Sequence, residues 1–403
     1  MSFRITDGAV ARQTLVDLGQ RQEAIASARE RIATGRRINR PSDDPAQAAR
    51  LRQLDTARDR LEQYERNASL AESRLAIEES TLGSMGDALQ RMHDLAVQAA
   101  NDTNGPSERR AIALEIEGRL EGLYELANVR DSAGDALFGG SRIGPDPFAP
   151  PAPGDSDVRY AGDERARRVS LGAERSVTTA HHGTEAFVAI PAGNGDFAVS
   201  MADSNVGTGT IDAGAVVDGA AWTGLDHTIE FGSPTSYDVR DANGSLVLGG
   251  APFEPGAPIE FAGVRTSIDG TPAAGDRFEL AAGTERDLFA RVSDLVETLR
   301  APPGDAAAEA RREQGMQTGL TELAGALEHL TTVRAEAGVR LQTVDASREE
   351  GAALGLQLDA TVASLRDADI TEEVVRLERE TRSLEILQRS HARFAGLSIL
   401  DHL

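Results

Sequence analysis

From Leu54 onward every seventh residue is apolar: Leu61, Ala68, Leu75, Leu82, Leu89 and Ala96. A second column three places on holds Tyr64, Ala71, Met85, Met92 and Ala99, and only Glu78 breaks it. Charged residues fill most of the remaining positions. A heptad of this kind predicts one long helix over Pro45–Ala100 that packs along a narrow seam. At 1.5 Å per residue it would be ~80 Å long, and it needs a partner of similar length. That partner is written near the other end of the chain. Met316, Leu323, Leu330, Ala337, Val344, Gly351, Leu358 and Leu365 fall at the same spacing, with Leu320, Leu327 and Leu341 beside them. Two matched heptad helices set the N- and C-terminal halves side by side, as a long antiparallel coiled-coil-like bundle.

Shorter helices frame this pair. Ile112, Ile116, Leu120, Leu123 and Ala127 form one apolar face after the turn cluster Asn101-Asp102-Thr103-Asn104-Gly105-Pro106, so this segment should fold back antiparallel on the long helix. Phe289, Val292, Val296 and Leu299 form another, closed by Pro302-Pro303-Gly304. At the ends the stripes thin. Leu15, Leu18, Ile25 and Ile32 mark a helix over Phe3–Thr34; Ile370, Val374, Leu377, Leu384, Leu387 and Phe394 mark one at the C-terminus. Alone, such stripes bury too little to offset the ordering cost of about 1–2 kcal/mol per residue. They are expected to order against neighbours and to form a subunit interface.

Between about Gly140 and Gly283 the helical period vanishes and proline and glycine become frequent. Short β runs are predicted at Arg168–Leu171, Ala186–Ile190, Asp196–Met201, His227–Phe231 and Arg277–Leu280. Ser236–Arg240 and Ser245–Leu248 flank Ala242-Asn243-Gly244 as a hairpin. The expected fold is α+β and multidomain: terminal helical segments at 1–44 and 366–403, a rod at 45–137 and 284–365, and an inserted all-β domain at 138–283.

Composition then narrows the chemistry. A net charge of −23 opposes binding to nucleic acid. No apolar window is long enough for membrane insertion, and the N-terminus lacks a signal-peptide core. There is no cysteine and no lysine, which removes thiolate metal sites, cysteine nucleophiles and a phosphate-loop lysine. His181-His182 reads as a solvated loop rather than a metal site, and Gly207-Thr208-Gly209 lacks the strand-then-helix setting of a phosphate loop. Glu78-Glu79 and Glu372-Glu373 read as solvating charge on helix faces; Met85 and Met92 read as core. No catalytic, cofactor or metal constellation emerges.

The punctuation between the first two helices is dense: Thr34-Gly35-Arg36-Arg37-Ile38-Asn39-Arg40-Pro41-Ser42-Asp43-Asp44-Pro45-Ala46. Gly35 suits a left-handed helix end, Asp44 an N-cap and Pro45 a first helical position. This segment resembles the hinge of the flagellin superfamily, and its Pro-Ser-Asp-Asp-Pro form is similar to the hook-associated branch. Leu365-Arg366-Asp367-Ala368-Asp369 resembles the matching C-terminal hinge. Val158-Arg159-Tyr160-Ala161-Gly162-Asp163, Val169-Ser170-Leu171, Gly183-Thr184-Glu185-Ala186-Phe187 and the tail Gly396-Leu397-Ser398-Ile399-Leu400 point to the same branch. The resemblance implies a non-enzymatic subunit of the bacterial flagellum at the hook–filament junction. It further implies type III export without a cleaved signal peptide, and hook-associated protein 1, flagellin, copies of itself and an export chaperone as partners. A true flagellin and, more remotely, a cytoplasmic coiled-coil scaffold are the rival readings.

Overall fold

A seven-residue apolar column is stable as a helix only when a second column lies along it, and both long columns here find one. The computed structural model describes residues 7–101, 105–142, 144–152 and 158–400, with side chains except at 7–11, 391 and 393–400. Its helices are α1 (Asp7–Thr34), α2 (Pro45–Ala99), α3 (Pro106–Ala127), α4 (Leu288–Arg300), α5 (Ala306–Arg366) and α6 (Ile370–Leu400). The chain divides into a terminal unit, residues 1–66 with 347–403, and a central unit, residues 67–346.

In the central unit α2 and α5 run antiparallel, since Glu79 pairs with Arg334 at 2.6 Å while Gly86, further along, faces Leu327. Leu82, Met85, Leu89 and Met92 of α2 share a buried cluster with Met316, Leu323, Ala326, Leu330 and Val333 of α5. Each large side chain so buried contributes about 1.5–3 kcal/mol before entropy is subtracted. The α3 helix returns beside α2, with Arg91 3.6 Å from Glu115, but its closest helical neighbour is α4. The reason lies in the stripes: Tyr124 stacks on Phe289 at 4.3 Å, and every large apolar residue of α4's inner face is buried.

The insertion contains a five-stranded antiparallel sheet in the order Leu246–Pro252, Ser236–Asp241, His227–Ser233, Arg277–Ala282, Phe197–Met201. Period-two alternation turns Ile229, Phe231, Tyr237, Val239, Phe278 and Leu280 to one face. A smaller sheet carries the hairpin of Pro258–Phe261 with Val264–Asp269, and its Ile259, Val264 and Ile268 join the same core. This hairpin was absent from the sequence expectation. Its turn is Ala262-Gly263, both at positive φ (46° and 82°), the geometry usually signalled by Asn-Gly. One expected strand is corrected: within Ala186–Ile190 the chain instead makes a single wide π-helical turn, Thr184–Val188, before a short strand at Ile190–Pro191. Ala186 and Phe187 are thereby driven together into an aromatic cluster, with the Phe187 ring 4.7 Å from Phe138 and 5.5 Å from Phe148. Alternation would have left one of them outside.

Candidate assembly interface

Two helix breaks face each other in the terminal unit. Gly35 ends α1 at φ 67°, a backbone region costly for any residue with a Cβ. Beyond it Arg36 pairs with Asp367 as a single antiparallel β-bridge. The Arg37 N–H donates to the Arg366 carbonyl at 2.7 Å, and the Ala368 N–H donates to the Gly35 carbonyl at 2.9 Å. The Arg37 guanidinium adds a bond to the Leu365 carbonyl at 2.9 Å. The predicted hinge is therefore one object built from both ends of the chain.

Its other residues act locally. Pro41 lies in the turn before α2, and Asp43 accepts the backbone N–H groups of Asn39 and Arg40 at 2.9 and 2.8 Å. The bonds from Arg40 and Asn39 hold the Asp43 carboxyl below its ordinary 3.8. Asp44 caps α2 by accepting from the Gln47 N–H at 3.0 Å, and Pro45 opens the helix where no donor is needed. Asp369 caps α6 in the same way, from the Thr371 N–H at 2.9 Å.

The α1 and α6 helices run antiparallel, because Arg31 pairs with Glu373 at 3.2 Å and Arg21 with Glu380 at 2.6 Å. Within this pair the apolar stripes divide. Ile25 is buried, together with Ala28, while Leu18, Ile32, Leu377, Leu384 and Leu387 are half-buried. Leu15 is 62% exposed, Ile370 43% and Val374 40%, and Val16, Val375 and Ile386 are also exposed. The Phe394 side chain lies outside the described residues, as does most of the C-terminal tail motif beyond its backbone. The α1–α6 pair thus uses up part of each stripe and leaves the rest facing solvent. Glu373 corrects the reading of Glu372-Glu373 as a solvated pair: it is buried, because α1 lies over it and Arg31 answers its charge.

A second correction falls in the central unit. Glu78, the single break in the α2 column, is fully buried, and its partner is His181, also fully buried. Neither is solvated. The His181 ring lies between Glu78 at 2.8 Å and Glu336 of α5 at 3.1 Å. Glu185 lies within reach of the same ring, so His181, Glu185 and Glu336 have ligand-capable atoms within 4.8 Å of one another. One turn before Glu78, Arg74 is buried against Asp131. On α4, Arg291 is fully buried and pairs with Glu322 at 2.5 Å. It also donates to the carbonyls of Ile190 and Pro191 at 2.7 and 2.8 Å, while Glu322 accepts the Gly193 N–H at 2.6 Å. These clamps fix the insertion's base to the helices. The one legible trace of them was the charged residue standing in an apolar column.

Residues 5–142 match the bacterial flagellin N-terminal helical region. The flagellar hook-associated protein 3 of Escherichia coli K12 is 30% identical over 161 residues, 40% of this chain and 49% of that protein. A flagellin of Clostridium tyrobutyricum is 31% identical over 140 residues, 35% of this chain and 37% of that protein. The chain spans about half the length of the hook-associated relatives it matches, 49% and 58%. The crystal structure of FlgL from Xanthomonas campestris is 29% identical with a TM-score of 0.69, over 77% of this chain and 99% of that one. Sequence and fold alike make this chain similar to flagellar hook-associated protein 3, and less so to flagellin.

Proposed function

We propose that this chain is a structural subunit of the bacterial flagellum, seated at the hook–filament junction between hook-associated protein 1 and flagellin. The observation that carries the reading is the likeness to FlgL, which runs through nearly the whole of that structure and over three-quarters of this chain, 77%. The terminal unit supports it physically. Exposed Leu15, Val16, Val374 and Ile386 leave apolar surface that a second copy or a neighbouring subunit can cover, so that ordering and assembly are coupled. In this reading residues 1–44 and 366–403 are assembly segments, 45–137 with 284–365 a rod, and 138–283 an inserted domain. Export proceeds unfolded through the type III channel, with a chaperone guarding the apolar ends.

The test is a clean deletion of the gene, with imaging of cell-surface hooks and an assay of flagellin in the medium. Bare hooks with monomeric flagellin released into the medium are expected. Missing filaments with no released flagellin would make the chain a filament subunit instead, the reading that the Clostridium match favours. Normal filaments would overturn both.

A further inference from the structure

Both ring nitrogens of His181 face carboxylate oxygens. Nδ1 is 2.8 Å from Glu78 on α2, Nε2 is 3.1 Å from Glu336 on α5, and the ring is wholly buried. A neutral imidazole carries one N–H; its other nitrogen is an acceptor and would turn a lone pair toward a carboxylate lone pair. With both carboxyl groups ionised, only the imidazolium makes both bonds. The Glu78 oxygen that meets the ring also accepts the His181 backbone N–H at 2.8 Å, so one carboxylate holds both ring and backbone. The other Glu78 oxygen is buried without a hydrogen-bond partner, which leaves that anion dependent on nearby cations.

We propose that His181 is a proton-operated clamp: as imidazolium it ties the segment Thr179–Gly183 to both long helices, and it releases that tie when it loses its proton. The segment joins the strand Ser176–Thr178 to the wide turn Thr184–Val188, so the clamp sits at the base of the insertion. It goes beyond the junction reading and does not depend on it.

The surrounding charges set the direction. Burial lowers the His181 pKa, but hydrogen bonding and attraction to Glu78, with the bond to Glu336, outweigh it and hold the group above its ordinary 6.5. On α5, Arg340 opposes protonation and pairs with Glu336 at 3.2 Å. On α2, Arg74 is engaged by Asp131. Next along the chain, Glu185 lies near the ring and is itself 3.5 Å from His182. Because the folded pKa is raised, the clamp's contribution is complete below the ordinary histidine value. It is lost as pH rises through the folded value.

The test is a pH series from acid to alkaline on the full chain. It would follow the His181 ring nitrogens by NMR and amide exchange over 179–183, in the wild type and in Glu336→Gln. Glu336 is half-exposed, so this variant is expected to fold, and His181→Gln serves to assign the ring signals. At pH 6, below the ordinary histidine value, the wild-type ring should carry protons on both nitrogens, and its midpoint should lie above 6.5 with segment protection falling over the same range. In Glu336→Gln the midpoint should move down. A single neutral tautomer at pH 6, or exchange unaffected by pH in both proteins, overturns the clamp. So does displacement of the ring protons by one equivalent of zinc chloride at pH 7, reversed by chelator, which would make the cluster a metal site.

Discussion

The terminal and central units are both built on antiparallel helix pairs, yet they are held by opposite means. In the central unit, phenylalanine rings and the main α2–α5 column, from Leu75 and Leu82 to Leu323 and Leu330, are buried, and charges among them are buried in pairs: Arg291 with Glu322, Arg74 with Asp131, His181 with Glu78. Among the described residues of the terminal unit the buried apolar ones are few and small or at the margin, such as Ala28, Ile25 and Val362, whereas exposed large apolar side chains occur in both units. Apart from Arg31 with the buried Glu373, ion pairs here such as Arg21–Glu380 and Arg58–Asp359 are partly or largely exposed. Buried pairs are costly to break singly, whereas exposed ones contribute about 0–1 kcal/mol. The central unit is thus built round a large buried core, and the terminal unit has little buried core of its own among the described residues.

The largest effect that would sharpen this contrast is expected at Arg291. Arg291→Met strands the Glu322 carboxylate and removes donors from two carbonyls, at a cost of about 3–5 kcal/mol. Urea unfolding followed by Trp222 fluorescence should show it, because that indole packs on Phe197 within the insertion. Adding Glu322→Gln should restore part of the loss. A single variant within 1 kcal/mol of wild type would mean that the clamp is decorative.

Next in size is Ile25→Ala, at about 2 kcal/mol, the low end for a buried aliphatic truncation. Here the location matters more than the size. Amide exchange should rise along α1 and α6 while the central unit's urea midpoint stays fixed. A shift of both together would show that the units unfold as one. Smaller again is Gly35→Ala, which places a Cβ at φ 67° and costs roughly 1 kcal/mol. Its signature is faster exchange at the Arg37 and Ala368 amides, which hold the two facing segments together.

How much of this was legible follows from what each signal depends on. The columns from Leu54 and Met316 depend only on period, and they predicted α2, α5 and their antiparallel pairing. The cap at Asp44 is a local signal and sits at the start of its helix; Asp369 entered only through the hinge resemblance, and the structure shows it capping α6. The Glu78 break was legible as an anomaly, but its partner lies 103 residues away on an irregular segment, where no period links the two. Phe187 was misplaced because a short apolar run does not distinguish a strand from a wide turn, and tertiary packing chose the turn. The Ala262-Gly263 hairpin escaped because alanine seldom takes the left-handed conformation it adopts there. The stripes were legible as apolar faces; which half of each is spent inside the chain was not, since that depends on how α1 meets α6.

The smallest expected change in the isolated protein comes from Leu15→Asp, and it is the sharpest probe of the comparison. Leu15 is 62% exposed, so a charge there removes almost no buried area, and monomer stability should stay within about 0.5 kcal/mol. Assembly is different. If the exposed half of the stripe is covered by another subunit, the aspartate must be desolvated against apolar surface, and that contact should fail. Complementation of the deletion strain reads this directly: the variant should be secreted at normal levels yet leave hooks bare. Ile25→Ala, weaker in the monomer, should complement better, because its side chain faces inward. Should the ranking reverse, the interface lies on the face that Ile25 supports, and the exposed residues of α1 are ordinary surface.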